Sequence, residues 1–178
     1  SSEQLQALNE TQLSGLSTAQ IAAMASDDLL TLTDSQVQAL STAQIQALTV
    51  SQVTGLDSSD FALMSNAQLR ALDTADIMAM GANDLSGLNG DQIAALSTVQ
   101  IRAIDSADLG ALSAGDLQEF TASQVKAFSS TQIAALGSED WQAFSATQFA
   151  AMTTQQLRWM DTADIASLTG DQVNALTN

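Results

Sequence analysis

Residues 40–56 read LSTAQIQALTVSQVTGL, and within them STAQIQAL (41–48) is followed at once by TVSQVTGL (49–56). The two octads share a hydroxyl residue first, Gln fourth, a β-branched apolar residue fifth and Leu eighth. Working outward in steps of eight keeps this register without an insertion or deletion, from SSEQLQAL (1–8) to TGDQVNAL (169–176). Position five is apolar in every octad, from Leu5 and Leu13 to Ile165 and Val173, and so is position eight, from Leu8 to Leu176. Position four is always Gln or Asp, and position seven is mostly Ala or Gly. Position one is Ser, Thr, Asp or Asn except at Ala25, Gly81 and Gly137. Self-similarity at a fixed period marks a stacked-repeat architecture.

A continuous helix cannot use this period. Eight residues at about 100° each move an apolar stripe by about 80° per repeat, faster than a supercoil can follow. A β-solenoid is the alternative, since positions five and seven alternate, but it points the apolar eighth position outward, and Ala and Gln are poor strand formers. Short helices account for every column. Ser41 or Thr49 acts as an N-cap, and Gln44 or Gln52 three residues on completes a capping box. Leu40 before the cap and Ile45 after it form a hydrophobic staple. Positions five and eight then share a face at i, i+3. So short a helix is unstable alone, and neighbouring repeats must supply its stability. The expected fold is all-α: a single solenoid over residues 1–178, about 22 octads with one capped helix each.

A slower rhythm suggests the superhelical pitch. All four bases, Arg70, Arg102, Lys126 and Arg158, occupy position six, at steps of four, three and four octads. Asp replaces Gln at position four with a similar spacing. Both series fit one turn per about three and a half octads, with an acidic side and a weakly basic side.

Composition removes most kinds of chemistry. The 178 residues carry twenty acids and four bases, a net charge of -16, which disfavours nucleic acid and anionic membranes as partners. Without His or Cys there is no catalytic triad, thiolate nucleophile or ordinary zinc site. The nine glycines are scattered and form no phosphate-binding loop. The chain is expected not to be an enzyme and to need no cofactor. No basic-then-apolar leader and no long apolar run occur in it, so nothing in it is expected to insert into a membrane; a leader can lie outside it.

Two irregular features are candidate sites. Four D-x-x-D octads, Asp57/Asp60, Asp73/Asp76, Asp105/Asp108 and Asp161/Asp164, gather hard oxygens of the kind that hold Ca²⁺ weakly; the competing reading is that Asp is simply another good cap at a helix N-terminus. Aromatic residues crowd into 120–159, and all but Trp159 fall in core columns. Trp159 stands at the normally small seventh position and is the candidate contact residue, while Glu119 in the same column marks that position as only partly buried.

The octads STAQIQAL and TVSQVTGL resemble the Ser/Thr-Ala-Gln-rich octapeptide arrays of very large secreted proteobacterial surface proteins of adhesin or RTX-like type. The resemblance covers the whole chain. It implies an extracellular or cell-surface location and a spacer or fibre role, and it transfers no active-site residue. The resulting expectation is a rod, stalk or filament segment of a longer array, which associates end to end or meets a host or matrix surface. The alternative is a repeat surface that binds glycan, ice or mineral, against which the irregular second position argues.

Overall fold

The computed structural model describes residues 2–176. Among these the chain forms twenty-two α-helices of four to six residues and no strand, from α1 (Ser2–Gln6) to α22 (Gly170–Ala175), one helix per octad in chain order. The all-α solenoid is therefore the observed architecture, and the β-solenoid is not.

Local chemistry sets each helix. Ser41 lies in extended conformation, and its hydroxyl oxygen accepts the Gln44 N–H at 3.3 Å. Gln44 Oε1 in return accepts the Ser41 N–H at 2.8 Å. The same reciprocal pair recurs with Thr49 and Gln52, Ser65 and Gln68, and Ser145 and Gln148. Most helices are closed at their other end by the N–H of position eight, which donates to the carbonyl of position five: Leu48 to Ile45, Leu56 to Val53, Met64 to Phe61. The next residue is already the next cap, so the octad ends where its successor begins.

Three octads depart from the cap. Ala25 before α4 (Ser26–Leu29) offers no side-chain acceptor. Ser26 does not take over as cap; its hydroxyl lies 3.1 Å from the carbonyl of Ser51. Gly81 and Gly137 keep half of the box, each donating its N–H to the Asp three residues on, at 3.0 and 2.8 Å.

The chain divides into two compact units, Ser1–Ala95 and Leu96–Asn178. Within the first, each helix packs on the one three octads later: α2 (Glu10–Ser14) on α5 (Asp34–Ala39), α4 on α7 (Val50–Gly55), α6 (Thr42–Gln46) on α9 (Asn66–Ala71). The second repeats the rule, with α14 (Ser106–Leu109) on α17 (Ser130–Ala135) and α19 (Ala146–Ala150) on α22. Each core is the stack of position-five and position-eight side chains. Phe61, Leu69 and Ile77 are fully buried in the first unit, as are Ile101, Leu117 and Ile133 in the second. The aromatic run widens the core of the second unit. Phe120, Phe128, Trp141, Phe144 and Phe149 are all buried, joined by edge contacts such as Phe120–Phe128 at 5.5 Å and Trp141–Phe149 at 6.0 Å between ring centres.

Side chains set the pitch of each unit. Gln44 Nε2 donates to the carbonyls of Leu13 and Leu16, both at 2.9 Å. Those are the position-five and position-eight carbonyls of the octad four back. Gln36, Gln52, Gln68 and Gln92 make the same fork in the first unit, and Gln132, Gln148, Gln156 and Gln172 make it in the second. Helices thus pack three octads on, while the Gln amides reach four octads back. In each unit a turn takes between three and four octads, which agrees with the pitch read from the Asp and Arg spacing.

Candidate functional site

The D-x-x-D pairs are capping boxes written with carboxylates. Asp57 accepts the N–H groups of Ser59 and Asp60 at 2.8 and 3.1 Å, and Asp60 accepts that of Asp57 at 3.0 Å. Asp73 and Asp76 repeat this arrangement. Asp161 accepts the Asp164 N–H at 2.8 Å, and Asp164 holds the Asp161 N–H on one oxygen and the Ser138 hydroxyl on the other. Asp105 caps through Ala107 N–H, with Asp108 half-buried in the same helix. Each pair is thus engaged by its own helix. No group of three or more carboxylates among the described residues is placed to hold a metal.

Burial acts on these carboxylates. It pushes the carboxyl of Asp60 above its ordinary range, opposed by the Asp57 N–H and reinforced by the charges of Asp57, Asp34 and Asp84. Asp76 is only 2% exposed, and burial raises its carboxyl too, opposed by the Asp73 N–H and reinforced by the Asp73 charge. Asp34, Asp60 and Asp84 come from octads three apart, and the charges of Asp34 and Asp84 act on Asp60. The expected basic side takes a different form. Arg70 and Arg102 turn inward along the surface, each donating Nε–H to the position-seven carbonyl three octads on, Ala95 at 2.6 Å and Ala127 at 3.1 Å. Gln6 does the same to Thr31. A cation there meets the partial negative charge of a helix C-terminus.

Trp159 is 37% exposed, whereas the other aromatic side chains are buried. It follows α20 (Thr154–Leu157) at the seventh position, and Glu119 in the same column is also exposed.

The two end turns carry the other departures from the interior pattern. Every position-five residue from Leu5 to Phe149 is buried. In the last turn Leu157 is half-buried, and Ile165 and Val173 are 45% and 47% exposed. The first turn leaves the other column open. Leu8, Leu16 and Met24 are half-buried around a cleft of about 390 Å³, which Gln20 and Ala23 help to line. Gln12 and Gln20 accept their cap N–H groups through Oε1 as interior glutamines do, yet both are exposed.

The donor half of the position-four glutamine is absent from a reading of caps alone. Its signal was available. A capping box accepts Glu as readily as Gln, yet none of the 22 octads has Glu at position four. Of the two, only Gln can accept at one atom and donate at the other.

A family model described as the ALTTAQ repeat matches residues 21–58, 71–103, 101–138 and 141–178. Its six letters correspond to the octad boundary, as in ALSTAQ at residues 39–44. No curated protein matches the chain.

Proposed function

The chain belongs to the ALTTAQ repeat family, and from that premise we propose that it is a non-catalytic structural element: a spacer or stalk segment of a secreted bacterial surface protein, able to lengthen by end-on association with further copies. The observation that carries this reading is the locality of the packing. Contacts between distant residues join octads three or four apart in each unit, so length is added without any new interface. The absence of His and Cys from the sequence and the capping role of the acidic pairs support a structural role over a catalytic one. No helix among the described residues is long and apolar enough to cross a membrane, in keeping with a segment that projects from a surface.

Sedimentation and negative-stain electron microscopy over a range of salt and protein concentration test the assembly part. End-to-end oligomers that lengthen with ionic strength are expected, because salt screens the -16 charge. A strictly monomeric chain at high concentration and high salt removes self-assembly and leaves the spacer. Antibody labelling of intact producing cells tests the location, and a signal only after permeabilisation overturns it.

A further inference from the structure

Aspartate at position four removes a donor from the core. A glutamine there gives its amide N–H groups to the carbonyls 31 and 28 residues earlier, as Gln132 does to Ile101 and Ile104 at 2.7 and 2.9 Å. Asp76 keeps only the capping half of that side chain, its Oδ2 accepting the Asp73 N–H at 3.0 Å. Its Oδ1 replaces the amide nitrogen and has nothing to donate. The carbonyls in register are those of Ile45 and Leu48, and no side chain among the described residues donates to either. Asp164 meets the same problem with a hydroxyl: its Oδ1 accepts from Ser138, 26 residues earlier, at 3.1 Å. The residue 26 before Asp76 is Val50, which has no donor. Asp76 Oδ1 therefore has no hydrogen-bond partner among the described residues, although Asp76 is only 2% exposed.

The register thus groups one carboxylate oxygen and two carbonyl oxygens with no donor of their own. We propose that Asp76 Oδ1 and the carbonyls of Ile45 and Leu48 hold a small monovalent cation such as Na⁺ inside the first unit, in the place that an amide takes elsewhere. Aspartate is one methylene, about 1.5 Å, shorter than glutamine, and a hard cation with oxygen contacts of roughly 2.3–2.6 Å bridges the separation that this leaves. A water molecule has two protons for the three acceptors. A single charge matches the single carboxylate oxygen turned to it, because Asp73 is exposed and already accepts the N–H groups of Ala75 and Asp76. Ca²⁺, which takes about six to eight oxygens, is poorly served by three. Burial and the Asp73 charge both work against the ionised form of Asp76, and a bound cation offsets both.

Thermal melts at neutral pH in NaCl and in tetramethylammonium chloride, at equal ionic strength, provide the test. Both salts screen the -16 charge alike, but the organic cation is too large to enter the core. The parent Tm should be higher in NaCl by about 3 °C or more, and the sodium NMR line should broaden on adding the chain. Asp76→Gln supplies its own amide, so the difference between salts should fall below about 1 °C and the line should stay sharp. Val50→Ser leaves the carboxylate in place and gives it the hydroxyl that Ser138 gives Asp164, and it should shrink the difference as well. Equal melts of the parent in the two salts overturn the proposal, because a water or a proton then serves the three oxygens. A difference that survives in both variants overturns it too, since the cation then sits elsewhere. Greater stabilisation by CaCl₂ than by NaCl at equal ionic strength overturns the choice of a monovalent ion.

Discussion

Gln44 Nε2 lies 2.9 Å from the carbonyl oxygen of Leu13, 31 residues earlier. Its Oε1, at the other end of the same amide, accepts the N–H of Ser41. One side chain thus starts its own helix and ties down the end of another, so local capping and tertiary stacking cannot be separated in this fold.

Replacing a buried bridging glutamine should therefore separate acceptor from donor. Gln132→Glu keeps the acceptor for Ser129 N–H but sets a buried carboxylate against the carbonyls of Ile101 and Ile104. A loss of about 3 kcal/mol or more is expected at neutral pH, because a buried charge is left without a donor. Gln132→Met, similar in size and uncharged, should cost less. Chemical denaturation of both variants provides the check, and small losses in both would show that the fork contributes little.

Caps should follow the ordinary scale. Ser97→Ala removes the acceptor for Gln100 N–H, 3.2 Å away, and should cost about 1 kcal/mol. Ala25 already has the extended conformation of an N-cap, so Ala25→Ser should gain a similar amount. A loss on Ala25→Ser in thermal melts would mean that the Ser26–Ser51 contact leaves no room for the hydroxyl.

The sign of the pH effect at Asp76 follows from its burial. Its carboxyl is raised in the folded chain, so the folded state keeps its proton at pH values where the unfolded chain has lost it. This site's penalty is absent below the ordinary carboxylate range and grows as pH rises through the raised value. Asp76→Gln removes the penalty and restores an amide in register with the carbonyls of Ile45 and Leu48. The variant should be more stable at neutral pH, with the advantage shrinking towards acid. Melts of both chains from neutral to acid pH measure this difference, and a constant offset would refute the assignment.

Two glycines should respond oppositely to alanine. A Cβ on Gly110 would stand 2.7 Å from the carbonyl oxygen of Ala135, so backbone must shift. Gly110→Ala should cost about 1–3 kcal/mol. Gly170, the first residue of α22, has nothing within 4 Å of that position. Gly170→Ala should be neutral or stabilising by up to about 1 kcal/mol. Paired urea titrations compare them.

Trp141 is fully buried, and its indole N–H has no hydrogen-bond partner. Trp141→Phe loses volume but also removes that orphan donor, so the two effects should largely cancel. Trp141→Ala should cost about 3–5 kcal/mol. A large loss with Phe would mean that the N–H is satisfied by the neighbouring ring faces of Phe144 and Phe149.

Much of this protein is decided locally and so is legible in the residues themselves. The octad, its cap at Ser41, its Gln44 acceptor and its helix all lie within eight residues, and the apolar columns at five and eight follow from helical geometry. The D-x-x-D pairs could be read as caps or as cation ligands, and the observed N–H partners fit the caps. The tertiary structure decided how the octads stack. It alone shows that the amides of Gln44 and Gln132 span one turn of their unit, that Arg70 reaches the carbonyl of Ala95, and that Asp76 is buried while Asp57 is exposed. A capping bond depends on residues three apart, whereas stacking brings together residues 25 to 31 apart, and no local preference records which of those meet. Only when one turn lies on the next do their carbonyls find donors.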